Sequence, residues 1–308
     1  MANTKQTKPH APAQPKGLAL WVEGARLRTL PLAIAPVAIG AAAATVTNKF
    51  QLPLSLLALA VALFLQIGVN FANDYSDGIR GTDSKRNGPL RLTGSGSAKP
   101  AAVKWVAFAF FGLAGVAGLA ITALTGFWWL VAVGVVCIVA AWFYTGGKSP
   151  YGYAGLGEIA VFIFFGPVAT VGTAFIQSRE LDPASVILGS AAGLFASAVL
   201  MINNIRDREI DQHVGKRTLA VKAGPGWSKF IYLVLLWSPL GLLILTAFLY
   251  PTVLLALLTL LLVLPTTLIA LTAKTTKEYV LALKLTSFSA LAFALASAWG
   301  LLLVGGLV

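Results

Sequence analysis

Residues 53–83 read PLSLLALAVALFLQIGVNFANDYSDGIRGTD. The run from Pro53 to Val69 is almost wholly apolar, and about 20 such residues in a helix cross a bilayer core. The polar end that follows, Asn70 to Asp83, holds three of the chain's six aspartates: Asp74, Asp77 and Asp83. A carboxylate at the centre of a membrane helix costs about 2.5–3.5 kcal/mol on insertion scales, so acids beside a span mark a functional site by default. The stretch reads as a transmembrane helix that delivers carboxylates to one membrane face.

The rest of the chain extends that reading. Its 308 residues are 57% hydrophobic and 11% charged, against about 25% charged in soluble domains. Apolar runs place spans at about 30–46, 53–73, 104–124, 127–145, 158–177, 185–205, 229–249, 252–272 and 286–306. The expected fold is an all-α integral membrane protein, nine transmembrane helices around a central cavity. Residues 1–16 are polar, with Pro and Lys, and read as a disordered tail without the h-region of a signal peptide. Residues 17–308 form a single nine-helix domain with no room for a soluble one. It opens on an interfacial helix over 17–29, where Trp21 and leucines mix with Glu23, Arg26 and Arg28.

The net charge of +12 invites a nucleic-acid reading, but in a membrane protein the placement of charge matters more than its sum. With the N-terminus in the cytoplasm, every Lys and Arg except Lys49 and Arg179 falls on the cytoplasmic side. The positive-inside rule then sets the topology and places the acidic face toward the cytoplasm of a cell membrane. Nucleic acid is excluded as a partner, and the lipid bilayer is the partner the composition demands. The lone Cys137 lies inside an apolar run, so no disulfide framework exists within the chain.

A second acidic stretch, NNIRDREID at 203–211, also ends an apolar run. Asn203, Asp207 and Asp211 share one helix face, as do Asn73 and Asp77, with Asn70 and Asp74 in a neighbouring stripe. Both stretches continue to Gly and a Lys-Arg pair, Lys85-Arg86 and Lys216-Arg217. Four spans separate them, so both reach the same face, as parallel repeats around one cavity would. Asp83, past Gly78 and Gly81, falls on a loop folding back over the site. One Asn-Asp pair at a helix end is ordinarily a cap; five aspartates in two facing sets must protonate or bind cations. Oxygen donors without His or Cys point to a hard ion, Mg²⁺ or Ca²⁺. Mg²⁺ on carboxylates usually completes its shell with water and substrate phosphate. Arg80, Arg91, Lys216 and Arg217, with Lys85 and Arg86, are either phosphate contacts or topology charges.

Residues 144–158, YTGGKSPYGYAGLGE, form another polar segment on this side. Tyr144, Tyr151 and Tyr153 are read either as belt residues or, with Lys148, as lining the site and holding phosphate. Glu158 suits a helix N-terminus without any catalytic duty. His213 reads as a solvated loop residue, and Trp105, Trp128, Trp129 and Trp227 as interface anchors. There is no GxxxxGK[ST], no GxGxxG after a strand and no HExxH, which leaves nucleotide hydrolysis and zinc proteolysis without support.

Over roughly residues 25–305 these features resemble the UbiA-type superfamily of intramembrane aromatic prenyltransferases, marked by Asp-rich motifs ending the second and sixth of nine helices. NDYSDGIRGTD with PLRLTGSG, YTGGKSPYGYAGLGE and NNIRDREIDQHVGKRTLAV are most similar to its 1,4-dihydroxy-2-naphthoate polyprenyltransferase branch. The interval from Asp77 to Asp83 is longer than the four residues common elsewhere in the superfamily and fits that branch. The resemblance implies that Asp74, Asp77, Asp207 and Asp211, with Asp83, hold Mg²⁺, and that Asn73 and Asn203 are neutral ligands or orienters. Asp77, Asp207 and Lys148 are then the candidate catalytic residues. The implied substrates are a polyprenyl diphosphate, its tail among the helices, and 1,4-dihydroxy-2-naphthoate. Two further readings are another aromatic acceptor and, in a different class, a cation-coupled transporter; the latter predicts acids toward the midplane.

Overall fold

In the computed structural model, residues 15–82 and 90–306 are described, and every regular element among them is helical. A short helix α1, Leu18–Ala25, and a 3-10 turn at Leu27–Thr29 lead into α2, Pro31–Val46. Then follow α3, Leu52–Ile79; α4, Pro100–Thr125; α5, Leu130–Phe143; and α6, Gly157–Ser178. The chain closes with α7, Pro183–His213; α8, Leu219–Ala247; α9, Pro251–Thr272; and α10, Thr276–Val304. The expected tail lies outside the described residues except for 15 and 16, as do Asp83, Lys85 and Arg86.

Each apolar run of the sequence coincides with one of α2–α10. Among the described residues seven of these helices are long and apolar enough to cross a membrane. Of the other two, α2 meets the α1 segment at a 51° bend, and α5 is a shorter apolar helix of 14 residues. Local chemistry explains the joints. Pro31, Pro53, Pro100, Pro183 and Pro251 sit in first turns, where a missing N–H costs nothing. Arg26 adopts the left-handed conformation (φ 55°, ψ 59°) and turns the chain between α1 and α2. Within α6, Pro167 lies in a π turn, Phe164–Val168, which absorbs the hydrogen bond that its ring removes.

Apolar runs under-read helix length at the polar end. The second apolar run covers 53–73, yet α3 continues to Ile79; the sixth covers 185–205, yet α7 continues to His213. Hydropathy reports bilayer thickness, whereas backbone hydrogen bonding carries a helix on into water. The 31 residues of α7 span about 46 Å against a hydrocarbon core of about 30 Å. Asn70 to Asp77 of the first acidic motif and Asn203 to Asp211 of the second therefore stand on helix.

The most buried span is α7, with 72% of its membrane-length window enclosed, and it packs against α2, α6, α8 and α10. In lipid, helices associate through close van der Waals contact, which favours small residues. Gly166 of α6 and Gly193 of α7 meet that need: a Cβ on Gly193 would lie 2.5 Å from the Phe162 carbonyl. Leu188, Phe195, Met201, Tyr232 and Phe293 fill the main core. A second cluster, Leu20, Phe71, Leu92, Val103 and Phe111, ties α1, α3 and α4 to the segment that follows α3.

Candidate active site

At the polar end of α3, Asn70, Asn73 and Asp77 recur on one face, and all three line a cavity of about 560 Å³. Asn73 Oδ1 accepts the Thr145 hydroxyl at 2.7 Å, and Asp77 Oδ1 accepts the Tyr153 hydroxyl at 2.6 Å. Arg80 reaches from the helix end to donate to the carbonyls of Thr145 and Gly147, and its guanidinium lies 5.3 Å from the Tyr153 ring centroid. Asp74 differs from its neighbours. It is buried, its two oxygens accept the backbone N–H groups of Leu92 (2.9 Å) and Thr93 (2.8 Å), and it does not line the cavity.

Across the mouth, α7 contributes Asn203, Asn204 and Arg206 to the cavity wall, joined by Lys216 from the turn beyond it. Arg206 grips Asp207 in bidentate fashion, Nε to Oδ1 at 2.8 Å and Nη2 to Oδ2 at 2.6 Å, and Nη2 also donates to Asn203 Oδ1 at 2.8 Å. Lys216 Nζ stands 3.7 Å from Asp211 Oδ1 and 5.0 Å from the Tyr153 ring centroid. Tyr153 thus joins the two halves, bonded to Asp77 of α3 and flanked by Lys216, the partner of Asp211 of α7. Burial and the neighbouring Asp77 charge both raise the Tyr153 hydroxyl pKa, so it remains a donor.

The segment 144–156 forms the mouth's third side. Tyr144 and Tyr151 line the cavity as an edge-to-face pair, 5.6 Å between centroids, and Tyr151 donates to the Ala140 carbonyl at 2.8 Å. Burial pushes the Tyr151 hydroxyl up to about 12. Glu158, in the first turn of α6, is buried and accepts the Asn204 side-chain amide at 2.9 Å. About two to three turns deeper than Asp77, the α1–α2 corner adds Arg26 and Arg28 to the wall. Asn70 and Gln66 hold that corner through the Thr29 hydroxyl, at 3.0 and 2.9 Å. Away from the mouth the cavity is apolar, lined by Val37, Ala58, Val61, Leu119 and Ile176.

The structure brings together Asn73, Asp77, Arg91, Tyr144, Tyr151, Asn203 and Lys216 around one cavity, with Asp207 and Asp211 reached through Arg206 and Lys216. Lys148 and Arg217, both expected at the substrate, are exposed and do not line it. Asp83 lies outside the described residues. Among the described residues no three His, Cys, Asp or Glu side chains form a closed metal cluster. The oxygen donors are instead spread around the mouth. Sequence reasoning missed Arg206, which it counted only among the cytoplasmic Lys and Arg; adjacent helix residues do not face each other. Its long side chain overcomes that separation. Thr145 was missed as well, a turn residue whose partner Asn73 is distant in sequence.

The chain has counterparts among known proteins. Residues 33–291 match the family model described as the UbiA prenyltransferase family. The chain is 50% identical over 214 residues to a 1,4-dihydroxy-2-naphthoate octaprenyltransferase of Mycobacterium tuberculosis, covering 70% of this chain and 73% of the relative. It is 40% identical over 211 residues to the Escherichia coli protein of the same name, covering 66% and 68%. A UbiA homolog from Archaeoglobus fulgidus, solved bound to GPP and Mg2+, superposes with a TM-score of 0.65 at 16% identity, covering 91% of this chain and 99% of that one. The family model covers most of the chain and the helical fold agrees with it: the chain belongs to the UbiA prenyltransferase family.

Proposed function

We propose that this prenyltransferase moves a polyprenyl group from polyprenyl diphosphate to 1,4-dihydroxy-2-naphthoate. The C–O bond to diphosphate breaks, and the diphosphate leaves with the electron pair. The ring carbon that carries the carboxylate bonds to the allylic cation, and loss of CO₂ returns an electron pair to the ring. The product is demethylmenaquinone, released as its quinol. No proton has to be removed from that carbon, so the reaction needs no general base there. The observation that carries this reading is the shape and polarity of one cavity, with Asn73, Asp77, Asn203 and Arg206 at one end and an apolar interior beyond. Such a chamber takes a charged head and a hydrocarbon tail and keeps water from the cation.

The donors at the mouth fit a hard divalent ion. They are all oxygen, and the α7 carboxylates already draw cations, Arg206 and Lys216. Mg²⁺ binds through one or two carboxylates plus substrate phosphates and needs no closed protein cage. Asp77, Asp207 and Asp211, with the amide oxygens of Asn73 and Asn203, are the residues that would hold it. Its chemistry there is neutralisation of charge on the departing diphosphate. Arg206 and Lys216 add fixed positive charge to the same end, Arg in a fork that matches phosphate oxygens. The tyrosine pair gives the acceptor ring an aromatic wall.

In this reading α2–α10 all cross the bilayer and the polar mouth faces the cytoplasm, which the bias of Lys and Arg toward that end supports. The test is purified protein with Mg²⁺, one polyprenyl diphosphate and a panel of aromatic acceptors. We expect turnover with 1,4-dihydroxy-2-naphthoate to exceed that with 4-hydroxybenzoate or homogentisate by at least about 100-fold, the discrimination that a polar site achieves against a mismatched acceptor. Preferred turnover of either alternative overturns the acceptor. Cation flux in proteoliposomes without covalent product overturns the reaction class.

A further inference from the structure

The family resemblance implies that Asp74 is among the cation ligands. We infer instead, resting on the proposed diphosphate site, that Asp74 is a positioning residue: it pins residues 91–98 so that Arg91 stands in the mouth as a diphosphate contact. On a helix Asp74 lies about 100° from Asn73 and about 60° from Asp77. Its side chain is 1% exposed and is turned to the segment after α3. Its two oxygens take one backbone N–H each, Leu92 at 2.9 Å and Thr93 at 2.8 Å, charge-assisted bonds that use the carboxylate as an anchor.

Two further contacts hold the same segment. Gly78, one turn past Asp74, lies against Thr93: a Cβ there would collide with the Thr93 side chain and sit 3.1 Å from the Gly94 nitrogen. Leu92 is fully buried beside Phe71, and a Cβ on Gly24 would lie 2.9 Å from its Cδ1. The segment closes on itself through Ser95 N–H to the Arg91 carbonyl at 2.9 Å and Ala98 N–H to the Leu92 carbonyl at 3.0 Å. With residues 92 and 93 held on both sides of the chain, Arg91 is set beside the mouth, where it lines the cavity with Asn73 and Asp77.

The test compares wild type with Asp74→Asn, Arg91→Ala, their double variant, Gly78→Ala and, as a ligand control, Asp77→Asn. Binding of a prenyl diphosphate to protein in nanodiscs is titrated at fixed Mg²⁺, and Mg²⁺ is titrated at fixed prenyl diphosphate. We expect Asp74→Asn, Arg91→Ala and Gly78→Ala each to weaken diphosphate binding about tenfold, the loss of one hydrogen bond to a charged group. The double variant should be no worse than the weaker single, because both remove one contact. The Mg²⁺ midpoint should stay within about twofold of wild type in these variants and move about tenfold or more in Asp77→Asn. A shift of the Mg²⁺ midpoint in Asp74→Asn matching that of Asp77→Asn makes Asp74 a ligand and overturns the inference. Additive losses in the double variant also overturn it. Gly78→Ala displaces Thr93 while leaving both charged groups intact, so unchanged diphosphate binding in that variant overturns it even if Asp74→Asn does not insert. The titrations need no acceptor, so failure to prenylate 1,4-dihydroxy-2-naphthoate bears on the proposed reaction alone.

Discussion

Replacing Asp77 or Asp207 by asparagine removes one negative charge from the mouth and almost no volume. Each carboxylate is buried and held by a strong donor, Tyr153 or Arg206, so its charge acts where dielectric screening is weak. We expect either change to lower kcat/KM by about 10²–10³, the usual loss when one electrostatic stabiliser is removed, while yield and melting temperature in detergent hold. An unchanged kcat/KM in either variant removes that residue from the site. Tyr153→Phe takes away the hydroxyl that orients Asp77 and should raise the Mg²⁺ concentration for half-maximal rate about tenfold, as loss of an outer-shell partner does. Its hydroxyl stays protonated as pH rises, because burial and Asp77 both push its pKa up, so the wild-type rate should not fall through loss of this donor between pH 7 and about 10. At this level the sequence is readable only where helix periodicity decides. Asn73 and Asp77 four apart on one helix declared themselves as a face, whereas the direction of Asp74 depends on a segment 18 and 19 residues away. The grip of Arg206 on Asp207 likewise depends on a rotamer that spacing cannot reveal.

The helices obey simpler rules. The nine apolar runs coincide with α2–α10, and the seven long enough to cross a membrane are helical because lipid leaves a backbone no hydrogen-bond partner but itself. Their crossings are set by small residues, and the α6–α7 contact at Gly166 and Gly193 offers a test. Gly193→Val adds a branched side chain where a Cβ already lies 2.5 Å from the Phe162 carbonyl. We expect it to destabilise the protein by about 1–3 kcal/mol or block folding, as overpacking does. Gly112→Ala, on α4 where a Cβ meets nothing within 4 Å, should leave the melting temperature unchanged or raise it. Thermal melts of the two in one detergent check the pair, and equal melting temperatures would contradict the proposed packing. What hydropathy could not supply here is how far α3 and α7 continue past their apolar runs, to Ile79 and His213. Nor does it give the 51° corner at Arg26, a left-handed residue that is not glycine.

For the molecule as a whole, the cavity sets which donor fits and what becomes of the acceptor. Its apolar end passes Val61, Ala62 and Leu65 of α3. Ala62→Phe should fill part of it and raise KM for long polyprenyl diphosphates at least about tenfold more than for geranyl diphosphate, the cost of forcing extra methylenes into a packed site. Equal changes for both donors would place the tail elsewhere. The existence of the chamber was legible in two acidic helix ends sharing one face. Its inner shape was not, because residues from most of the helices meet there and no local pattern encodes their distances. The reaction assigned to the chamber makes one direct demand: the carboxyl carbon of the acceptor must leave as the prenyl group arrives. With 1,4-dihydroxy-2-naphthoate carrying ¹³C in its carboxyl group, mass spectrometry should find one labelled CO₂ per prenylated product and no label in the lipid. Prenylated lipid that retains the ¹³C would contradict it.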